Sequence, residues 1–211
     1  AAFAAVEDVQ SQLSRFEAHS DLGRFHALPA GDCMTVRAHT AAVLATAQRL
    51  RDASDGLFDI SLRSAPEGWR IDGTQLLKHD AAVRLDLGGI GKGHAVDHAV
   101  DVLVARGCSA GWVNAGGDLR AFGDAELPIT LRDERGGGAQ PFGTLRDGAF
   151  ATSHFDRGSR SRAAAAWPVR AHVSVAAPLC LWADALTKIV AVSGDTAHPL
   201  LGQLGAVAWL H

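Results

Sequence analysis

Cysteine is scarce in this chain. Cys33, Cys108 and Cys180 lie far apart with no Cys-x-x-Cys pair, which excludes a zinc knuckle and a disulfide framework. Long apolar runs are missing too: nothing approaches the roughly 18 uninterrupted apolar residues of a membrane-spanning helix. An excess of positive charge is also absent. Lys plus Arg (20) against Asp plus Glu (23) leaves a net charge of −3, so there is no basic field for nucleic acid or anionic lipid. Lysine itself is rare, with only Lys78, Lys92 and Lys188 present. The first residues, AAFAAVEDVQ, lack a basic segment and place Glu7 and Asp8 where the apolar run of an export signal would stand. That leaves two expectations open, a cytoplasmic chain or the mature form of an exported one.

What remains is an ordinary globular composition. Hydrophobic residues make up 47% and charged residues 20% of 211 residues, which excludes disorder and fits a single domain over 1–211. At this length roughly 70% of the unfolded surface is buried, enough for a core without staples.

Phe3, Val6, Val9, Leu13 and Phe16 recur at helical steps and predict an amphipathic helix with these residues inward. A loop is expected from Ser20 to Cys33. A second helix spans about Ala38 to Ser54, with Val43, Leu44, Ala47, Leu50 and Ala53 inward and Gly56 as its stop. The tract 63–73, with Pro66, Gly68 and Trp69, reads as a loop. Arg84–Leu87 reads as a short strand, and 94–106 as a helix ended by Gly107. Short strands then follow at 111–115, 119–122, 128–132, 149–153 and 170–177, with turns at Gly116-Gly117, Gly136-Gly137-Gly138 and Asp147-Gly148. A helix over 182–194 ends at Gly194, and a strand over 206–210 closes the chain. Helices and strands come in blocks, which predicts an α+β fold, two-layered, with a mostly antiparallel sheet and packed helices.

The strongest local signal is Leu85-Asp86-Leu87-Gly88-Gly89-Ile90-Gly91-Lys92-Gly93-His94, a strand emptying into a glycine turn and then a helix. Unpaired N–H groups at a helix start attract anions, and Lys92 adds a compact positive charge. The run is neither a Walker loop, since Gly93 follows Gly-Lys, nor a dinucleotide fingerprint. By itself it reads equally as tight strand-to-helix packing. Asn114-Ala115-Gly116-Gly117-Asp118 is a second glycine turn, which on its own is a plain hairpin. Asp184 and Lys188 stand four apart on one helix face. Asp184 is a candidate Mg²⁺ ligand, or simply an acid near a helix start paired with Lys188.

LDLGGIGKGHAVD, VNAGGDLRAFG, AFATS and ADALTKIVAVSG occur in one order, preceded by SRFEAHSDLGRF and SDGLFDIS, and together they resemble the ApbE family of FAD:protein FMN transferases over nearly the whole chain. The resemblance implies an ApbE-like fold related to the T-fold. It also implies transfer of FMN from FAD to a Ser or Thr hydroxyl of a target flavoprotein, with Mg²⁺ assisting and AMP released. A periplasmic or cell-envelope location is implied with it. Carried over, Gly88, Gly89, Gly91, Lys92 and Gly93 would hold the pyrophosphate and adenylate, and Asn114, Gly116, Gly117 and Asp118 would line the wall. Phe58 and Asp59 would lie near the flavin or adenine, and Thr152 would join the FAD site. Lys92, Asp184 and Lys188 would carry the catalysis, and Gly91, Asp184 and Thr187 would face the metal.

Three positions depart from the family pattern. Lys188 stands where the family has a threonine ligand, and an ammonium four residues from Asp184 could take the metal's place as a point charge, weakening or abolishing metal binding. The family's His-x-x-Asp-Pro-x-x-Gly segment has no counterpart between Ser153 and Ala171. His154 replaces a glycine, and His154 or His172 is then either a substitute base or a polar strand-edge residue. Ser153, His154 and Asp156 are too close in sequence for a triad. His94 and His98 stand four apart but lack the glutamate of His-Glu-x-x-His, so no zinc site is expected of them, and Arg157, Arg160 and Arg162 read as a solvated loop. Two readings besides transfer follow: a flavin-binding protein that has lost the metal, or an FAD pyrophosphatase. All three require the turn at Lys92 and the turn at Asp118 to meet.

Overall fold

The computed structural model describes residues 1–132, 137–155 and 171–211. Helices α1 (Ala2–Leu13), α2 (Asp21–Ala27) and α3 (Ala38–Ala53) come first, interrupted by the short strand β1 (Cys33–Thr35). Strands β2 (Trp69–Asp72) and β3 (Gln75–Lys78) complete a small sheet in the order β1-β3-β2. Helix α4 (Gly91–Ala105) leads into β4 (Gly111–Ala115), β5 (Asp118–Arg132), β6 (Ala139–Phe155) and β7 (Ala171–Ala177). Helices α5 (Cys180–Ser193) and α6 (Pro199–Gln203) and strand β8 (Val207–Leu210) follow. The second sheet runs β4-β5-β6-β7-β8, and every pairing in both sheets is antiparallel. The expected α+β architecture is therefore present.

Alternation along the central strands sorts side chains onto two faces. Ala149, Ala151 and Phe155 of β6 and Val173 and Val175 of β7 join α5 (Ala183, Leu186, Val190) in the main core. On the opposite face Leu119, Ile129 and Phe150 form a second, smaller cluster, with Trp209 and Leu145 against it.

Several local expectations are corrected. The segment after Ser20 is a helix, because the Ser20 hydroxyl accepts the Gly23 N–H at 2.9 Å and Leu22 and Phe25 are fully buried. Asp21 then caps α3 from outside, accepting the Arg37 N–H at 2.8 Å and the Thr40 hydroxyl at 2.7 Å. Trp69 opens a strand instead of sitting in a loop, and is buried. Among the described residues, 84–87 pair with no strand: Val83, Leu85 and Leu87 are buried in alternation, and the Asp86 N–H bonds to the Ile60 carbonyl at 2.8 Å. Phe3 and Phe16 are 88% and 81% exposed, and Ala53 is also outward. The segments 119–122 and 128–132 belong to one strand, and Asp147-Gly148 lies inside β6, at an irregularity in the β5–β6 register. Gly136 and the arginines 157, 160 and 162 lie outside the described residues.

Candidate functional site

The site is assembled where α4 begins, β4 turns into β5, and α5 passes beneath. Positive φ at Gly116 (66°) and Gly117 (99°) makes the tight β4–β5 turn, which the Asn114 side chain closes by accepting the Gly117 N–H at 2.9 Å. That turn delivers Asp118, 1% exposed, beneath the first turn of α4, where Lys92 pairs with it. The two glycine bends thus meet.

Helix α5 is brought against α4 by a close backbone approach. A Cβ on Gly93 would overlap the Cys180 carbonyl, so glycine is needed there for packing, and Gly93 does not line the cavity described below. The N-cap residue of α5, Leu179, offers no side-chain cap. Asp97 of α4 does this work across the helix pair, accepting the N–H groups of Cys180 at 2.9 Å and Leu181 at 2.8 Å. Arg120 closes the arrangement, donating to the same carboxylate at 3.1 Å. Sequence reading missed Asp97 because its partners lie more than eighty residues downstream.

Docked this way, α5 presents Asp184, fully buried, to the α4 turn. One carboxylate oxygen accepts the Gly93 N–H at 3.3 Å; the other lies 4.0 Å from the Lys92 ammonium and 2.5 Å from that of Lys188. Lys188 also donates to the Asp184 carbonyl and to the Ser153 hydroxyl, both at 3.0 Å. Thr187 is buried, its hydroxyl donating to the Asp184 carbonyl at 2.7 Å and lying 2.9 Å from Ser153 Oγ. The stem of Lys188 runs past Gly89, where a Cβ would stand 3.1 Å from its Cε.

Charge in this cluster is nearly balanced. Burial and the neighbouring Asp184 carboxylate push Asp118 up to about 6, against the pull of Lys92 and Lys188. Burial disfavours the Lys92 ammonium, but the Asp184 and Asp118 carboxylates outweigh it and hold its pKa above the ordinary value. Burial raises the Cys180 thiol, with the surrounding carboxylates adding to it.

These residues do not fit the Mg²⁺ that the resemblance implies. Asp184, the expected metal ligand, already carries one ammonium at 2.5 Å with a second at 4.0 Å, and the oxygens of Ser153 and the Asp184 backbone turn toward Lys188. A divalent ion would meet two positive charges where it needs free oxygen ligands.

A cavity of about 330 Å³ opens beside this cluster. Gly88, Gly91 and Lys92 line one side with Asp86 and Ala115, while Val9, Leu13, Arg15 and Phe16 line the other. Asp86 caps the turn, accepting the Gly88 N–H at 2.8 Å and pairing with Arg15 at 3.2 Å. Asp86 and Ser153 are not among the site residues expected from the sequence, although each lies inside a motif, LDLGGIGKGHAVD and AFATS.

The remaining expected residues are placed otherwise. Thr152 lies on the far face of β6, its hydroxyl 2.7 Å from that of Ser174, because successive strand residues alternate and Ser153 takes the inward position. His154 and His172 share that far face and lie 3.0 Å apart, ring nitrogen to ring nitrogen, which removes both as bases at Asp184. Phe58 is buried in the main core. The Asp59 carboxylate accepts the N–H groups of Ser61 and Arg63 and the Ser61 hydroxyl, fixing its own turn. Neither residue lines the cavity.

Known proteins similar to this chain in sequence or in fold share one description. An FAD:protein FMN transferase of Rhodobacter capsulatus is 29% identical over 231 aligned positions, covering 87% of this chain and 44% of its own length. An FAD:protein FMN transferase of Vibrio cholerae is 24% identical, covering 56% of this chain and again 44% of its own length. This chain therefore spans less than half the length of these curated relatives. Among solved structures, the apo flavinyl transferase ApbE of Pseudomonas stutzeri superposes with a TM-score of 0.81 at 25% identity, over 99% of this chain and 80% of that one. The flavin transferase ApbE of Vibrio cholerae shares the fold, with a TM-score of 0.83 at 20% identity over 99% and 82% of the two chains. The ApbE family model matches residues 1–208, from before the first wall of the cavity to the last strand, and the chain belongs to the ApbE family.

Proposed function

We propose that this chain binds FAD and transfers its FMN half to a Ser or Thr hydroxyl of a target flavoprotein. The observation that carries this reading is the meeting of the Gly88–Gly93 turn, Lys92 and Asp118 with Asp184 and Lys188 at the edge of a cavity walled by Leu13 and Phe16. In the reaction, the acceptor hydroxyl oxygen bonds to the phosphorus of the FMN half. The bond from that phosphorus to the bridging oxygen breaks, AMP departs with the bridge, and the hydroxyl proton goes to solvent or a base. Such a step needs little covalent help from the protein and much neutralisation of charge on the departing phosphate.

Here the α4 start, Lys92 and Lys188 supply that neutralisation. Lys92 is half-exposed at the cavity, so it can leave Asp118 for a phosphate oxygen. Lys188 holds Asp184 in place and provides a second fixed positive charge.

Incubation with FAD and an acceptor peptide tests the reading. AMP release together with a peptide heavier by one FMN is expected; FAD bound with no AMP released sinks it. That second outcome defines the competing reading, a flavin-binding protein without transfer, which the ammonium seated on Asp184 specifically favours.

A further inference from the structure

A second cluster of chemistry-bearing side chains lies outside the site described above, where α1, α3 and α4 come together. Asp8 projects from α1, His39 from the first turn of α3, and His94 and His98 from successive turns of one face of α4. His39 is the hub. Its Nε2 lies 3.5 Å from Asp8 Oδ2, and its Nδ1 lies 3.0 Å from His94 Nε2. Its ring centroid is 4.3 Å from that of His98. One ligand atom from each of Asp8, His39 and His98 falls within 4.8 Å of the others.

We propose that Asp8, His39 and His98 form a binding site for a zinc-class divalent ion, with His94 orienting His39 from behind. Two imidazoles and a carboxylate are a donor set that suits zinc, nickel or copper and is poor for magnesium. Zinc bonds of about 2.0–2.2 Å in a tetrahedron place ligand atoms roughly 3.3–3.6 Å apart, a range that includes the 3.5 Å of the His39–Asp8 pair. The His98 ligand atom lies within 4.8 Å of the other two and would have to close to that spacing on binding. Asp8 is 56% exposed at its side chain, so water completes the coordination from the open side.

Two features separate this cluster from histidines that merely pack. His39 has both nitrogens engaged on opposite sides. A metal-ligating histidine is usually held in this way, one nitrogen facing the ion and the other donating to a fixed partner. The charge environment also differs from that of Asp184. Among the described residues, no lysine or arginine pairs with Asp8, so its carboxylate is available to a cation.

The consequence is mechanical. Helix α1 supplies the Val9–Leu13 wall of the cavity, and an ion at this junction ties that wall to α3 and to α4, whose first turn carries Lys92.

Equilibrium dialysis of the whole chain against Zn²⁺ at neutral pH, with excess Mg²⁺ present, tests this without flavin or acceptor. One bound zinc is expected. Affinity should fall by about tenfold or more in His98→Ala and in Asp8→Asn, whose exposed position makes it safe for folding, and by a comparable factor in His94→Gln. The thermal midpoint should rise with Zn²⁺ in the unaltered chain and not in His98→Ala. His172→Ala, on the far sheet face, should bind zinc normally. No zinc uptake, uptake unchanged in both Asp8→Asn and His98→Ala, or loss confined to His172→Ala would each overturn the proposal.

Discussion

Asp97 on α4 accepts the Cys180 N–H at 2.9 Å and the Leu181 N–H at 2.8 Å, so the N-terminus of α5 is capped by a different helix. Replacement by alanine would leave two buried N–H groups and the Arg120 guanidinium without their acceptor. A loss of about 1–3 kcal/mol in urea-induced unfolding is expected for Asp97→Ala, and a smaller loss for Asp97→Asn, which retains one acceptor oxygen. An unchanged denaturation midpoint in Asp97→Ala would show that the cap is dispensable.

Gly93 offers a test in which two effects have opposite signs. Alanine in a helix is favoured over glycine by about 1 kcal/mol, so a free position would gain stability. Here the added Cβ meets the Cys180 backbone, which has no side-chain freedom with which to yield. Gly93→Ala is therefore expected to lower the thermal midpoint, because α5 must move away from α4. A raised midpoint would contradict the close approach.

Acid should act on Asp118 in a definite direction. Its folded pKa of about 6 lies above the ordinary carboxylate value, so between roughly pH 4 and 6 the folded chain holds a proton that the unfolded chain has lost. Stability from this group rises as pH falls through 6 and diminishes as pH climbs past it. His94, lowered to about 4 by burial and by its histidine neighbours, runs the other way. The readout is thus the difference between the unaltered chain and Asp118→Asn. That difference should shift in favour of the unaltered chain on going from pH 7 to pH 5. A pH-independent difference would remove the assignment.

Lys188 and Lys92 make separable predictions for flavin. If Lys188 substitutes for a metal, titrating Mg²⁺ should leave FAD affinity of the unaltered chain unchanged, while Lys188→Thr should become Mg²⁺-dependent by roughly tenfold, about 1.4 kcal/mol. Fluorescence titration of FAD measures both. Lys92→Ala should weaken FAD with or without Mg²⁺. Mg²⁺ dependence in the unaltered chain would reject the substitution.

Much of this was legible in the residues. The GGIGKG and NAGGD turns announce themselves through glycine, and six motifs standing in family order imply that the two turns meet. The C-terminal ends of α4 and α5 were also readable, since Gly107 and Gly194 are left-handed helix stops, while both helices start earlier than the spacing predicts, at Gly91 and Cys180. Strand parity was not. Which of Thr152 and Ser153 faces inward depends on the register of β6 against β7, which no local pattern encodes. Arg84–Leu87 has the alternation of a strand but pairs with none among the described residues, its Asp86 N–H bonding to the Ile60 carbonyl instead. The helix at Asp21–Ala27 is short, and its Ser20 cap was the one signal for it. His39 gave no hint of its partners, since the spacing that joins it to His94 and His98 exists only after α3 and α4 pack.

The ammonium seated on Asp184 has a further implication. A borrowed ion can be withdrawn by a chelator or by scarcity and restored later, so a site that depends on one can be switched from outside. A lysine in that position is written into the chain at translation and cannot be withdrawn. Such a pocket would keep that positive charge whatever the supply of divalent ions, at the expense of a control point that a recruited ion would have provided.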